Sequence, residues 1–244
     1  MLKKRQSIKG KILIMTILVL IISNVAIGVL GYNVAKKELS ESGETILKNA
    51  VESTMQIIDL AQHGVEEGVF TLEEAQEVIK EYILGERQVD GTRFIDSPLN
   101  LGENGYLIVY NQEGDAMAHP YLEGQNEWNS RDKSKDETLF VQDSINKALN
   151  GGGFTYYEWL LPDGQNIGKK IAYNDLDPKW GWIVVAGSYE MDFNKGAVNV
   201  LRNTSIGVIF FILLAGIAMY NLADRLGKAI EGVTISAERI SNLD

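Results

Sequence analysis

Residues 154–173 read FTYYEWLLPDGQNIGKKIAY, and this stretch decides the fold class. Aromatic and apolar side chains alternate with polar ones on either side of Pro-Asp-Gly at 162–164, a tripeptide typical of a turn. The pattern predicts two strands, 154–161 and 167–173, joined as an antiparallel hairpin. A hairpin of this kind needs further strands or a helix to cover one of its faces, so the neighbouring sequence must supply them.

Strand patterns continue on both sides of this hairpin. Residues 105–110, 115–119 and 180–189 also read as strands. Between them, residues 136–150 carry a helical pattern that stops at the three glycines 151–153. About five strands with short connections and one crossing helix predict an antiparallel sheet with helices on one face. The predicted fold class is therefore α+β.

Two apolar segments lie outside the strand-rich region. Residues 12–30 are almost uninterruptedly apolar and reach about 28 Å as a helix, close to the hydrocarbon thickness of a bilayer. Residues 205–220 form a shorter run that a few flanking residues complete. The alternative reading of the first segment is a cleaved signal peptide, but it is longer than a typical one and no A-x-A site follows. Both segments are therefore predicted to span the membrane.

The basic residues around these segments predict the orientation. Five precede the first segment: Lys3, Lys4, Arg5, Lys9 and Lys11. Arg225 and Lys228 follow the second, so both termini are expected in the cytoplasm of a cell-membrane protein. The predicted division is a cytoplasmic N-terminus 1–11, spans 12–31 and 204–221, an extracytoplasmic domain 32–203 and a cytoplasmic amphipathic helix 222–244.

The first span is predicted to continue outward as one long amphipathic helix over residues 32–62. Its apolar stripe is expected to pack on the domain or on a second copy, and comprises Ile46, Ala50, Ser53, Ile57 and Leu60. Thr71 and Glu74 have the spacing of a capping box, which predicts a second helix running to about residue 84.

Composition excludes several function classes. The chain has no Cys, so disulfides, cysteine metal sites and cysteine nucleophiles are absent. With only two histidines, His63 and His119, a metal site is not expected. Residues 33–203 carry 29 acidic and 15 basic side chains, a net charge of 15 − 29 = −14, which argues against nucleic acid and anionic membrane surfaces. No P-loop, G-x-S-x-G or HExxH motif is present, so an enzyme is not expected.

The central hairpin holds the residues best suited to bind a ligand. Alternation places Tyr157 and Trp159 on one face of their strand, and Lys170 and Tyr173 lie in the next strand. An ammonium among aromatic hydroxyls and an indole predicts a site for a small carboxylate. The alternative is that the aromatic residues are core and Lys170 is solvated. His119, which precedes Pro120 at a strand end, is either a ligand contact or a structural residue.

Five motifs in this order resemble the single Cache sensor domain of bacterial receptors, most of all its type 2 subfamily. They are Gly102-Glu-Asn-Gly-Tyr106, His119-Pro120, Gly152-Gly-Phe-Thr-Tyr-Tyr-Glu-Trp159, Lys170-Ile-Ala-Tyr173 and Trp180-Gly-Trp-Ile-Val-Val-Ala-Gly-Ser-Tyr189. The resemblance covers about residues 33–200. With its two spans and a HAMP-like helix from Leu222, the chain is similar to a methyl-accepting chemotaxis receptor that lacks its signalling hairpin.

This resemblance implies a PAS-like antiparallel sheet, a long N-terminal helix, a homodimer, no cofactor, and a small ligand, often a short organic acid, above the sheet. The family's pocket positions that match here are His119, Tyr157, Trp159, Lys170 and Tyr173. Two positions depart from the family pattern. Leu160 stands where a Pro often follows the strand Trp, and Ala229 where the first HAMP helix usually has Pro.

The resulting hypothesis is a transmembrane chemoreceptor that senses a small extracellular ligand and passes the signal through the HAMP-type helix to cytoplasmic chemotaxis proteins. The alternative is the sensor portion of a membrane histidine kinase or cyclic-dinucleotide synthase, which sequence beyond residue 244 would distinguish. A surface-anchored hydrolase would need a nucleophile–base pair in the pocket, and the sequence offers none.

Overall fold

The alternating patterns of the central region form one five-stranded antiparallel sheet, with strand order β2-β1-β5-β4-β3. The computed structural model describes residues 8–241. Its elements are the helices α1 (Ile8–Glu66), α2 (Leu72–Ile83), α3 (Phe140–Leu149) and α4 (Glu190–Ser241), and the strands β1 (Tyr106–Tyr110), β2 (Ala116–Ala118), β3 (Gly153–Leu160), β4 (Ile167–Leu176) and β5 (Ile183–Tyr189). The α+β fold class, the long N-terminal helix and the five predicted strands are confirmed.

Helices cover both faces of the sheet, which corrects the expectation of helices on one face. Tyr156 and Tyr157 are neighbours in β3 and therefore point to opposite faces. The Tyr156 hydroxyl lies 3.2 Å from Oε1 of Glu44 in α1. The Tyr157 ring stacks on Phe140 of α3, with centroids 4.3 Å apart. The crossing helix α3 thus buries its own apolar side against the face that α1 leaves open.

The buried stripe of α1 is shifted by about one residue from the predicted one. Its fully buried members, each with no exposed surface, are Leu47, Val51, Thr54 and Ile58. Of the predicted stripe, Ala50 is buried, but Ile46 is 41 % and Leu60 71 % exposed. The predicted stripe and the buried one lie side by side on the helix, and each contains small or polar residues as well as apolar ones. Periodicity alone therefore does not show which of the two faces the sheet. Packing selects the stripe with the larger apolar side chains facing the sheet.

Helix α2 begins where the sequence predicts, whereas helix α3 begins later than predicted. The capping box of α2 is formed: the Thr71 N–H donates to Oε2 of Glu74 at 2.8 Å, and the Glu74 N–H donates to Oγ1 of Thr71 at 3.2 Å. Helix α3 begins at Phe140 rather than residue 136. The residues before it pair with the sheet edge instead, where the Lys133 N–H donates to the Glu158 carbonyl at 2.8 Å.

The described chain divides into two compact units, one of which is Lys37–Lys195 and contains the sheet. The other comprises the residues before and after it. Two helical stretches, Gly10–Glu66 and Glu190–Ser236, are long and apolar enough to cross a membrane, with peak mean hydropathies of 2.7 and 2.3. These apolar windows are 0 % and 6 % buried, so their side chains are exposed rather than packed inside the described fold. Lys3, Lys4 and Arg5, on which the predicted orientation partly rests, and residues 242–244 lie outside the described residues.

Candidate functional site

Strand pairing brings a row of large side chains onto the face of the sheet that α3 covers. Lys170 of β4 lies directly opposite Tyr157 of β3 and directly opposite Tyr189 of β5. Tyr106 of β1 pairs with Gly187, two residues before Tyr189. Directly paired residues share a face of an antiparallel sheet, so Tyr106, Tyr157, Lys170 and Tyr189 all point the same way.

Gly187 provides the space that Lys170 needs to cross β5. A Cβ at position 187 would lie 2.8 Å from Cε of Lys170, closer than a side chain tolerates. The lysine stem therefore passes over the glycine and reaches β1. Its Nζ lies 3.6 Å from the ring centroid of Tyr106, 5.3 Å from that of Tyr189 and 6.0 Å from that of Tyr157. The amino group thus sits among three aromatic rings.

The environment of Lys170 opposes its positive charge. The residue is 2 % exposed, and its Nζ has no hydrogen-bond acceptor among the residues that the structure describes. Burial lowers the pKa of the Lys170 amino group well below its usual value of 10.5. The rings offer some cation–π attraction. A buried ammonium without a hydrogen-bonded counter-ion is nevertheless unfavourable, so this group would gain free energy from an anion placed beside it.

The neighbouring tyrosines remain neutral hydrogen-bonding groups. Burial raises the pKa values of the Tyr106 and Tyr157 hydroxyls well above their usual value of 10.0. The Tyr189 hydroxyl donates to the Leu160 carbonyl. This hydrogen bond holds the Tyr189 ring in place beside the lysine.

His119 is a second buried base on the same face, and its ring is fixed by the chain that follows it. The imidazole is 3 % exposed, and its Nδ1 accepts the backbone N–H groups of Tyr121 and Leu122, each at 3.0 Å. Burial, and then the nearby charge of Lys170, lowers the pKa of the imidazole to about 3. With Nδ1 used as an acceptor, the neutral ring carries its proton on Nε2 and can donate it.

A cavity of about 240 Å³ opens beside this row. Its walls include Tyr106, His119 and Trp159, together with Tyr121, Leu122 and residues of the β3–β4 connection, and none of the lining residues is acidic. A second cavity of about 300 Å³ is lined by Tyr157 and Lys170 but also by Asp132, Asp136, Glu158 and Glu190. Those carboxylates would repel an anion, whereas Nζ of Lys170 is directed at Tyr106, a wall of the first cavity. The 240 Å³ cavity is therefore the candidate site.

The structure brings together four of the five predicted site residues: His119, Tyr157, Trp159 and Lys170 share the α3 face. Their contact with a ligand stays a prediction. Tyr173 is a correction, because three residues separate it from Lys170 in a regular strand and it therefore points to the opposite face. It packs edge-on against Phe154, with centroids 4.9 Å apart, and Nζ of Lys48 in α1 lies 6.0 Å from its ring.

Sequence reasoning missed Tyr106, Tyr189 and Gly187. Each lies in a motif that the sequence displays, the first in Gly105-Tyr106 and the others in Gly187-Ser-Tyr189. Their importance depends on β1 and β5 pairing in the middle of the sheet. The motifs identified these two segments as important, but only the strand register shows which of their side chains contact Lys170.

Comparison with known proteins gives a family and a fold. The profile of the Single Cache domain 2 family matches residues 39–203. The sensor histidine kinase MctS of Rhizobium johnstonii is 24 % identical over 216 residues, which cover 85 % of this chain and 44 % of that protein. This chain thus spans less than half the length of that kinase.

Two solved structures share the fold. One, described in a study of carboxylic acid recognition by a Cache chemosensory domain, aligns with a TM-score of 0.51 at 24 % identity, covering 63 % of this chain and 97 % of that one. The other is the periplasmic sensor domain of a chemotaxis protein, with a TM-score of 0.50 at 24 % identity, covering 62 % and 96 %.

Proposed function

Because this chain belongs to the Single Cache domain 2 family, we propose that it is a transmembrane sensor that binds a short carboxylate outside the cell and reports it inside. Its sensor domain is related to those of chemoreceptors and of a histidine kinase. The proposed role is ligand binding and signal transmission rather than catalysis.

One observation carries the choice of ligand: the amino group of Lys170 is buried, has no acceptor among the described residues, and lies against the ring of Tyr106. Tyr106 lines the 240 Å³ cavity and Lys170 does not, so a carboxylate in the cavity would supply the missing charge-assisted hydrogen bond once the Tyr106 ring moved aside. His119 lines the cavity, and its Nε2–H would donate a second one. The study of the similar Cache domain concerns carboxylic acid recognition, which supports the same chemistry here.

The cavity limits the size and the charge of the ligand. At about 240 Å³ it is smaller than the range of roughly 300–1,000 Å³ typical of drug-sized ligands. A short organic acid fits this volume better than a purine does. A free amino acid is disfavoured because its ammonium group would need an acidic partner, and no Asp or Glu lines the cavity.

The proposed sensor is a membrane-spanning dimer that signals through α4. The two long apolar helices span the membrane with both termini in the cytoplasm, and α4 carries the signal inward as a HAMP-type helix. Two copies associate through α1, where Ile46 and Leu60 are exposed on one side of the helix two heptads apart.

The favoured output is the cytoplasmic chemotaxis machinery. The sequence similarity to MctS supports a second candidate function, in which this chain is the sensor portion of a histidine kinase, because the match covers 85 % of this chain. The DNA beyond codon 244 discriminates between them. A long helical signalling hairpin would support the chemoreceptor, and an ATP-binding kinase core would support the alternative.

Replacing Lys170 with Met tests the ligand proposal. Methionine keeps most of the side-chain volume and removes the charge, so Lys170→Met should lose binding of short carboxylates while the apo protein becomes no less stable, because an unpaired buried ammonium is removed. The measurement is thermal unfolding of the full chain in nanodiscs with acetate, propionate, lactate or pyruvate. At 100 times its Kd, a ligand should stabilise the wild type by about 2.7 kcal/mol and the variant by none.

Lys169→Met is the matched control, since Lys169 is the exposed neighbour on the other face of β4. It should bind the same acids as the wild type does. An acid that stabilises the Lys170→Met protein as strongly as the wild type would contradict the proposed role of the ammonium. Failure of all short acids to stabilise the wild type would contradict the proposed ligand class.

A further inference from the structure

A buried arginine, Arg93, binds the turn that follows His119. Its side chain has no exposed surface. Nε of Arg93 lies 2.6 Å from Oε2 of Glu123, and Nη2 lies 3.1 Å from Oε1 of the same carboxylate. This two-point contact fixes both the distance and the orientation of the two groups, as only a planar guanidinium does.

Arg93 hydrogen-bonds to the turn at two positions. Besides the Glu123 carboxylate, its backbone N–H donates to the Pro120 carbonyl at 2.9 Å. Between these points lie Tyr121 and Leu122, which line the 240 Å³ cavity and donate their N–H groups to Nδ1 of His119. The geometry of this short segment therefore sets both the position and the tautomer of the imidazole.

The other side of the guanidinium is anchored to helix α2 and the chain that follows it. Nη2 lies 2.6 Å from Oε1 of Glu77 in α2, and Nη1 donates to the Gly85 carbonyl at 3.2 Å. Glu123 is itself 7 % exposed at its side chain, whereas Glu77 is 44 % exposed. Of the two acids that bind Arg93, only Glu123 belongs to the segment that lines the cavity.

We propose that Arg93 and Glu123 are positioning residues for the ligand site: their ion pair fixes the 119–123 turn so that His119 keeps its proton on Nε2, toward the cavity. The role in binding rests on the proposed function, whereas the effect on His119 does not. If Arg93 were merely a structural ion-pair centre, removing the charge of either acid would weaken the fold without a selective effect on His119.

The sequence makes this effect directly measurable, because it contains only two histidines. The full chain with ¹⁵N-labelled histidine, in micelles, gives two sets of ring nitrogen resonances, and a His63→Gln variant assigns them. In the wild type, His119 should show a single neutral tautomer protonated on Nε2 from pH 5 to 8. In Glu123→Gln the two tautomers should mix, and the ring should begin to titrate within this pH range.

Glu77→Gln is the matched control, since it removes a charge from the same guanidinium outside the turn. It should lower the unfolding temperature and leave the His119 resonances unchanged. A Glu123→Gln protein with wild-type His119 resonances would overturn the proposal, as would equal changes in both variants. If Glu123→Gln does not fold, Glu123→Asp gives the same test, because it keeps the charge and shortens the reach of the carboxylate.

Propionate binding separates this inference from the proposed function. Glu123→Gln should raise the Kd for propionate about tenfold, which corresponds to about 1.4 kcal/mol, while Glu77→Gln leaves the Kd within about twofold. A wild type that binds no propionate counts against the ligand proposal and leaves the histidine measurement as it stands. A wild-type Kd in Glu123→Gln, combined with altered His119 resonances, would overturn the role of the pair in binding.

Discussion

At the scale of single residues, the site contains two buried bases with different hydrogen-bonding states. His119 has its Nδ1 saturated by two backbone N–H groups, whereas Nζ of Lys170 has no acceptor among the described residues. Burial drives both pKa values downward. The histidine is therefore a fixed neutral donor, and the lysine is the group whose free energy would change most if an anion bound beside it.

The buried histidine makes stability depend on pH. Its pKa is about 3 in the folded protein and about 6.5 when unfolded, so the unfolded state binds more protons between these values. The stability that the neutral, buried imidazole contributes is fully present above pH 6.5. It is lost as the pH falls toward 3, because the unfolded state then gains a proton that the folded state does not bind. A His119→Asn variant keeps an acceptor for the two N–H groups and does not titrate.

The expected result is a difference in unfolding free energy between wild type and His119→Asn that changes by about 1.4 kcal/mol for each pH unit below 6.5. Chemical unfolding at pH 6.5, 5.5 and 4.5 measures it, because the other titratable groups contribute equally to both proteins and cancel. A constant difference over this range would mean that the imidazole titrates alike in the folded and unfolded states, as an exposed ring does.

The candidate site was predictable in part from single residues and their alternation. The alternation of side chains in β3 indicated that Tyr157 and Trp159 share a face, and the composition of the next strand indicated Lys170 as their partner. The same alternation also places Tyr173, three residues from Lys170 in one strand, on the opposite face, so assigning both to one pocket overlooked a local signal. It does not reveal that Tyr106 and Tyr189 complete the ring of aromatics, because that depends on the register of strands that are far apart in the sequence, and no local pattern encodes that register.

At the scale of elements, the first turn of α4 is tied to the loop that leads into β1. Asp192 accepts the Asn104 N–H at 3.1 Å, the Asn104 side-chain amide at 2.9 Å and the Ser188 hydroxyl at 3.3 Å. Tyr106 follows that loop, and Tyr189 directly precedes α4. One carboxylate therefore joins the start of the helix to segments carrying two of the rings around Lys170.

Asp192→Ala should lower the unfolding free energy by about 1–3 kcal/mol, because hydrogen bonds to a carboxylate are among the stronger ones. Hydrogen exchange of the Asn104 amide, which loses its acceptor, should accelerate by the corresponding factor. Glu190→Ala is the control in the same helical turn. It should change stability by only a few tenths of a kcal/mol through the helix dipole. Equal exchange rates at Asn104 in both variants would argue against the tie.

Element boundaries show where sequence patterns succeed. The capping box of α2 was predictable because its partners are three residues apart. The start of α3 was not, since residues 136–138 form a loop instead of the predicted first turn. There Thr138 hydrogen-bonds to Asp132 through both its N–H and its carbonyl, and Asp132 accepts the Glu158 N–H at the edge of β3. The sequence also did not show that Leu47 rather than Ile46 packs on the domain, because that choice depends on contacts with strands more than 50 residues away.

At the scale of the whole molecule, the fold class and the order of elements followed from the sequence, and the membrane topology remains a prediction. The absence of natural cysteine gives a clean background for testing it. A cysteine at Val89, which is fully exposed, should react with a membrane-impermeant maleimide on intact spheroplasts. A cysteine at Ser236, exposed in α4, should react only after the membrane is permeabilised.

Labelling of both positions from outside would exclude a cytoplasmic C-terminal helix. Labelling of neither in intact cells, with both reacting after permeabilisation, would place the sensor domain in the cytoplasm and exclude detection of an external ligand. The wild-type chain, which contains no cysteine, controls for non-specific reaction.

The strand order has a consequence for how the protein is made. The central strand β5 is the last to leave the ribosome, whereas its partner β1 emerges roughly 70 residues earlier, a delay of several seconds at ordinary synthesis rates. During that interval the segment Tyr-Leu-Ile-Val-Tyr of β1, buried at all five positions in the finished sheet, has one edge without its neighbour. The β1 segment therefore stays without its central partner until residues 183–189 have been made, which makes it the strand most exposed to mispairing during synthesis.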